Sequence, residues 1–179
     1  MSRDLRAFSS DLKNNFGRNC LIFSWFLVQN IIFKNYYTPS WFRARLLRFW
    51  GASIGKNVIL RRGLKIHFPW NLTIGDNSWI GEEVWIINHE KVFIGANVCV
   101  SQRAIICSSG HDYRSRSLQY SHKPIHISDG AWICLDAKIL PGVRIGTCSV
   151  VSAGEIARDS LSDFTILISG QIHHIQRPI

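Results

Sequence analysis

From residue 54 onward the chain is built in sixes. The clearest units are IGKNVI (54–59), IGDNSW (74–79), IGEEVW (80–85), IGANVC (94–99), VSQRAI (100–105), ISDGAW (127–132), ICLDAK (133–138), ILPGVR (139–144) and IGTCSV (145–150). Each opens on Ile or Val. The second residue is usually Gly or small, and the fifth is small or β-branched, as at Val58, Ser78, Val98, Ala104, Ala131, Ala137 and Ser149. A period of six is neither the 3.6 of an amphipathic helix nor the 2 of a half-buried strand. Six residues suffice for one short strand and a corner, and three such sides close a coil. The first residue of each six then points inward. Glycine in second place lets the backbone turn where a Cβ would clash. A single coil cannot bury its own apolar face, so coils must stack to make a core. The fold class this predicts is mainly β, a parallel β-helix.

The coils start at Ile54, Ile74, Ile94, Ile127 and Ile145. The last step is the ideal eighteen, and the first two carry two residues more. The step from Ile94 to Ile127 carries fifteen more, which assigns residues 107–126 to a loop thrown out from one corner. Their composition agrees, since CSSGHDYRSRSLQYSHKPIH is polar and has lost the period. Loops of this length in a compact fold often carry function. Three segments follow: an N-terminal helical cap over 1–50, the β-helix over 51–160, and a C-terminal strand and tail over 161–179. Thr38-Pro39 divides the cap into two helices. Beyond residue 156 the sixes fade, 164–168 (FTILI) reads as a strand, and 169–179 reads as a tail.

The net charge of +9 is uneven. Residues 1–50 hold eight Lys/Arg against two acidic residues, and the remainder holds 13 against 10. The basic N-terminal segment is either a solvated face or a surface for an anionic partner. No nucleic-acid-binding motif accompanies it. Five cysteines without a CxxC pair argue against a disulfide framework or a cysteine zinc site, and point to a reducing, cytoplasmic setting. Residues 20–33 (CLIFSWFLVQNIIF) form the one long apolar run. It is shorter than the roughly 20 residues that span a bilayer, and no small-residue cleavage site follows it. It reads first as a capping helix. The second reading is a peripheral membrane helix with Arg18, Lys34 and the aromatic residues near the headgroups.

IGDNSWIGEEVW, SQRAIICSSGHDY and DGAWICLDAKILPGVRIG together resemble the hexapeptide-repeat acyltransferases, over about residues 41–165. The colanic acid biosynthesis branch is the nearest in pattern, and the galactoside, maltose and streptogramin acetyltransferases form the wider group. The resemblance implies a left-handed parallel β-helix, a homotrimer with sites between subunits, and transfer of an acetyl group from acetyl-CoA to a hydroxyl of a sugar or polysaccharide precursor. No metal is expected.

The chemistry needs a base for the hydroxyl proton, and histidine titrates in the right range. His111, in SSGHDY, matches the family's catalytic histidine. Asp112 either helps orient the site or only shapes the turn. Asn88 matches a position that contacts the acceptor sugar, or is an ordinary corner residue. Trp85 either stacks on a sugar ring or packs outside a coil. Trp132, Ala153 and Gly154 match positions near the groove that takes the pantetheine arm. Arg158 lies near the expected place of the coenzyme A phosphates, with His173 and Arg177 as weaker candidates.

The C-terminal coil departs from the family. Glu155 stands where a small residue is usual and Asp159 where a lysine is, and the G-N-P-A turn is absent; one coil earlier, Cys134 replaces a glycine. Two rival readings remain in view. A zinc lyase on the same coils would need three histidines to meet, and His67, His89 and His111 are evenly spaced. A non-catalytic scaffold, or the same chemistry on an antibiotic or amino sugar, is the other.

Overall fold

In a computed structural model, which describes residues 16–175, with the side chains of Phe16 and Arg18 outside that description, the sixes fold as a three-sided parallel solenoid. The first face stacks the strands Ser53–Ile54, Leu72–Ile74, Val92–Ile94, Ile125–Ile127 and Arg144–Ile145. The second stacks Ile59–Leu60, Trp79–Ile80, Cys99–Val100, Trp132–Ile133, Val150–Val151 and Thr165–Ile168. The third stacks Lys65–Ile66, Trp85–Ile87, Ile105–Cys107, Lys138–Ile139 and Ile156–Ala157. Register follows the repeat: Ile54 pairs with Ile74, Ile74 with Ile94, and Ile94 with Ile127.

The core is the set of first and fifth residues. Ile74, Ile80, Ile86, Ile94, Val100, Ile106, Ile133 and Ile139 are buried, as are Val98, Ala104, Ala131 and Ala137. Where the fifth residue is polar, the interior uses it. Ser78 Oγ donates to the Gly95 carbonyl at 2.8 Å and accepts from the Val98 amide at 3.1 Å. The second-position glycine is a matter of contact: a Cβ on Gly75 would lie 2.6 Å from the Ala96 nitrogen in the next coil. The fourth residue adopts the left-handed conformation at each turn. Asn57, Asn77 and Asn97 suit it, whereas Glu83, Arg103, Cys148 and Phe164 hold it against their own preference.

Two readings of the C-terminal region change. The sixes do not end at 156. Leu161 bridges in parallel to Ile145, and LSDFTI makes a further side with Leu167 paired to Val151. The corner at 157–160 is shorter by two residues, which hides the register in the sequence. The presumed tail returns as Gln171–His174, antiparallel to Thr165–Ile168. Arg177 lies outside the described residues.

Of the helical cap expected over 1–50, residues 1–15 lie outside the described residues; the rest comprises α1 (Phe16–Val28), which runs into a π-helical turn at Gln29–Phe33, and α2 (Ser40–Phe49). Pro39 precedes α2 at its N-cap. The cap closes the open end of the first coil. Trp25, Phe33 and Leu47 are fully buried. Trp25 Nε1 donates to the Ile66 carbonyl at 2.8 Å, and Gln29 Oε1 accepts from the Ile66 amide at 2.6 Å. Among the described residues no helix is long and apolar enough to cross a membrane.

Candidate active site

The corner between the third and first faces holds every change in coil length, and the polar loop leaves from it. The chain departs after Cys107 and re-enters the first face at Ile125. Ser108 fixes its base. This fully buried serine donates through Oγ to the Glu90 carbonyl at 2.9 Å and accepts from the Glu90 amide, also at 2.9 Å. Above it the two arms pair. The Ser121 amide donates to the Gly110 carbonyl and the Asp112 amide to the Gln119 carbonyl, each at 2.8 Å, and His111 bridges antiparallel to Tyr120. The loop is therefore a short hairpin with His111 near its outer end.

His111 is exposed, and its Nδ1 lies 2.6 Å from the Leu118 carbonyl oxygen. A carbonyl only accepts, so Nδ1 carries the proton and the imidazole lone pair sits on Nε2. Leu118 adopts a left-handed conformation (φ 48°), which turns its carbonyl to this use. The Tyr120 ring lies against the imidazole at 4.8 Å. The cleft beside the ring is lined by His111, Asp112, Tyr113, Arg114, Gln119 and Tyr120.

Further side chains continue from this point down the same corner. His122 lies 4.8 Å from Tyr120, His89 lies 5.1 Å from His122, and His67 lies 5.5 Å from His89. His67 Nδ1 and His89 Nε2 are 3.4 Å apart. Burial pushes the His67 imidazole below its ordinary value. The even spacing of His67, His89 and His111 thus marks a line of ring contacts, edge-on between His67 and His89, and Tyr120 stands between His89 and His111. Among the described residues no three His, Cys, Asp or Glu side chains gather as a metal would require. Tyr120, His122 and the Leu118 carbonyl gave no signal in the sequence beyond their place in the loop.

The remaining candidates are spread over the molecule. Asn88 is fully buried, and its amide is used internally: Oδ1 accepts from the Phe68 amide at 3.0 Å and Nδ2 donates to the Phe68 carbonyl at 2.6 Å. These bonds link two coils at the corner. The Asp112 side chain accepts from the Arg114 amide at 2.9 Å within the turn. Trp85 projects from the third face, 37% exposed, 6.0 Å from His67. Trp132 projects from the second face, 46% exposed, and its Nε1 donates to Ser101 Oγ at 2.9 Å. Ala153 and Gly154 form the exposed turn between the second and third faces in the last full coil. Gly154 is left-handed (φ 75°), with no heavy atom within 4 Å of where a side chain would begin, so the backbone there is open to a ligand. Arg158 is exposed on the loop's own corner, and His173 is exposed on the C-terminal strand. Trp132, Ala153, Gly154 and Arg158 do not line the cleft beside His111.

The departures in the last coil are accommodated. The Glu155 carboxylate turns away from the narrow interior, and the Gly170 amide points at both its oxygens, each at 3.3 Å. One coil earlier, the Cys134 thiol is pushed up to about 11 by burial and, secondarily, by Cys99.

No protein-family model matches the chain. Individual relatives do. Over 155 residues it is 37% identical to WcaF of Escherichia coli K12, named as a colanic acid biosynthesis acetyltransferase, and the match covers 84% of each chain. It is 30% identical over 118 residues to the galactoside O-acetyltransferase of the same organism, across 64% of this chain and 58% of that one. Among solved structures, a galactoside acetyltransferase in complex with coenzyme A superimposes with a TM-score of 0.82 at 21% identity, covering 96% of this chain and 89% of that one. The hexapeptide-repeat acetyltransferase VCA0836 of Vibrio cholerae, complexed with acetyl-CoA, gives 0.80 at 22% identity, covering 93% and 91%. The structural likenesses show the same solenoid, and a match over 84% of the chain necessarily takes in the central coils and the loop that bears His111. The chain belongs to the hexapeptide-repeat acetyltransferases.

Proposed function

We propose that this acetyltransferase moves the acetyl group of acetyl-CoA to a hydroxyl of a sugar or polysaccharide precursor, with His111 as general base. The observation that carries the reading is the bond from His111 Nδ1 to the Leu118 carbonyl. It holds the proton on Nδ1 and leaves Nε2 as the basic nitrogen. Nε2 takes the hydroxyl proton as the acceptor oxygen attacks the thioester carbonyl. When the carbon–sulfur bond breaks, the imidazolium returns that proton to the departing thiolate. A base placed this way contributes about 10²–10⁴ in rate. Its exposed position on a hairpin gives a bulky hydroxyl acceptor access to the ring.

The donor residues are assigned on family position. Trp132, the open Ala153–Gly154 turn and Arg158 would receive the pantetheine arm and phosphates. In one protomer they stand apart from the cleft at His111. We therefore propose a homotrimer in which the base of one subunit meets the donor groove of the next. Five free cysteines fit a reducing compartment, and we place the enzyme in the cytoplasm.

The reading is tested by thiol release from acetyl-CoA against free sugars, oligosaccharides and nucleotide-sugars. Release that requires a hydroxyl acceptor is expected. Release only with amine acceptors, or none with any acceptor while acetyl-CoA still binds, would overturn it.

A further inference from the structure

The helical stretch made by α1 and the π-helical turn that continues it is apolar on two sides. Its inner side is committed to the solenoid through Trp25, Gln29 and Phe33, all buried. Its outer side carries Phe23, Leu27 and Ile31 at successive intervals of four, and these are 72%, 54% and 63% exposed. Large apolar side chains in one exposed line are not what a water-facing helix carries, since that face is ordinarily polar. Lys34 follows this line, and the exposed Tyr36 and Tyr37 come next.

Charge narrows the choice of partner. Residues 16–50 contain five Lys/Arg and no Asp or Glu. Arg43 is buried and Arg48 donates to the Ile54 and Gly55 carbonyls, so the cation at the stripe itself is Lys34. An exposed apolar stripe ending in a lysine and tyrosines, in a stretch without acidic residues, has the make-up of a helix that lies in the headgroup layer of an anionic bilayer. Two copies of the stripe placed face to face would bring like charges together, which disfavours self-association through it. Among the described residues no helix is long and apolar enough to cross a membrane; the described stretch Phe16–Phe33 reaches about 27 Å at a rise of ~1.5 Å per residue, short of the ~30 Å hydrocarbon core. Anchorage also opposes spanning. The bonds from Trp25 and Gln29 to Ile66 hold the inner side on the first coil, leaving only the outer side to meet lipid.

We infer that the outer face of α1 and the π-helical turn that continues it, with Phe23, Leu27 and Ile31 as the inserting residues and Lys34 beside them, docks this protein on the surface of an anionic membrane. This goes beyond the acyl-transfer reading and does not depend on it. The docked helix carries the whole solenoid with it, so the enzyme would work on acceptors held at that surface as well as in solution.

The test is co-sedimentation of the full chain with phosphatidylcholine vesicles and with mixed phosphatidylcholine–phosphatidylglycerol vesicles, at low and high salt. The wild type is expected to sediment with the mixed vesicles and to be weakened by salt. A Phe23→Ser, Leu27→Ser, Ile31→Ser variant is expected to lose at least about tenfold in partitioning. Its mass by light scattering and its thiol release with a soluble acceptor should be unchanged. Lys34→Glu should weaken binding to the mixed vesicles alone. No sedimentation of the wild type with anionic vesicles would overturn the inference. So would a drop in mass of the triple variant, which would assign the stripe to a second copy of the chain. If the triple variant fails to fold, hydrogen exchange of wild-type residues 20–34 decides: protection gained with anionic vesicles supports docking, and unchanged exchange refutes it.

Discussion

The proposed chemistry rests on a few atoms that the loop places. His111 was legible from its motif, but its tautomer was not, because the partner is a main-chain carbonyl seven residues away. Leu118 is an unremarkable letter in the sequence, and only the folded hairpin shows its use. Asn88 is the opposite case. The sequence leaves it between acceptor contact and corner, and the fold spends both ends of its amide on Phe68. Two predictions belong here. Tyr120 supports the imidazole as a positioning residue, so Tyr120→Ala should lower kcat between about tenfold and a hundredfold with KM little changed, whereas Tyr120→Phe should keep most activity. Steady-state kinetics of the two variants separates lost positioning from lost folding. The Cys134 thiol, pushed up to about 11, should resist alkylation near neutral pH while the exposed Cys20 reacts, which mass mapping of labelled peptides will read.

At the scale of the element, the six-residue side was almost wholly readable. Ladders such as Ile54, Ile74, Ile94 and Ile127 are buried as the period demands. What the period could not carry was a shortened corner. Two residues lost at 157–160 broke the count and hid the side that begins at Leu161. The second-position glycines are a steric requirement of stacking. Gly75→Ala would set a Cβ 2.6 Å from the next coil's backbone and should cost more than about 2 kcal/mol, measured by denaturant unfolding. The histidine column adds a pH dependence. Burial lowers the His67 value, so the folded chain binds that proton less readily than the unfolded chain. The stability from neutral His67 is fully present above about pH 6.5 and is lost as pH falls below it towards the folded value. The melting temperature should fall on acidification across this range, and His67→Phe should fall less.

For the molecule as a whole, stacked coils make a rigid post, and function gathers on its outside. The loop corner carries His111, the proposed base, and also Arg158; the second face and the corner after it carry Trp132, Ala153 and Gly154, and the cap carries an apolar stripe. This separation is why the sequence could name His111 and Trp132 yet not relate them: repeats specify what lies within a coil, not how residues on different faces are combined. If the site forms between subunits, light scattering should give three times the chain mass. A monomer with full activity would break that part of the account. The central claim is that His111 takes the acceptor proton while other residues hold the donor. The most direct measurement is acceptor-dependent thiol release by wild type and His111→Ala, with coenzyme A binding measured on both. A loss of about 10²–10⁴ in kcat with coenzyme A affinity unchanged is the predicted result. Activity retained in His111→Ala, at an unchanged melting temperature, would contradict it.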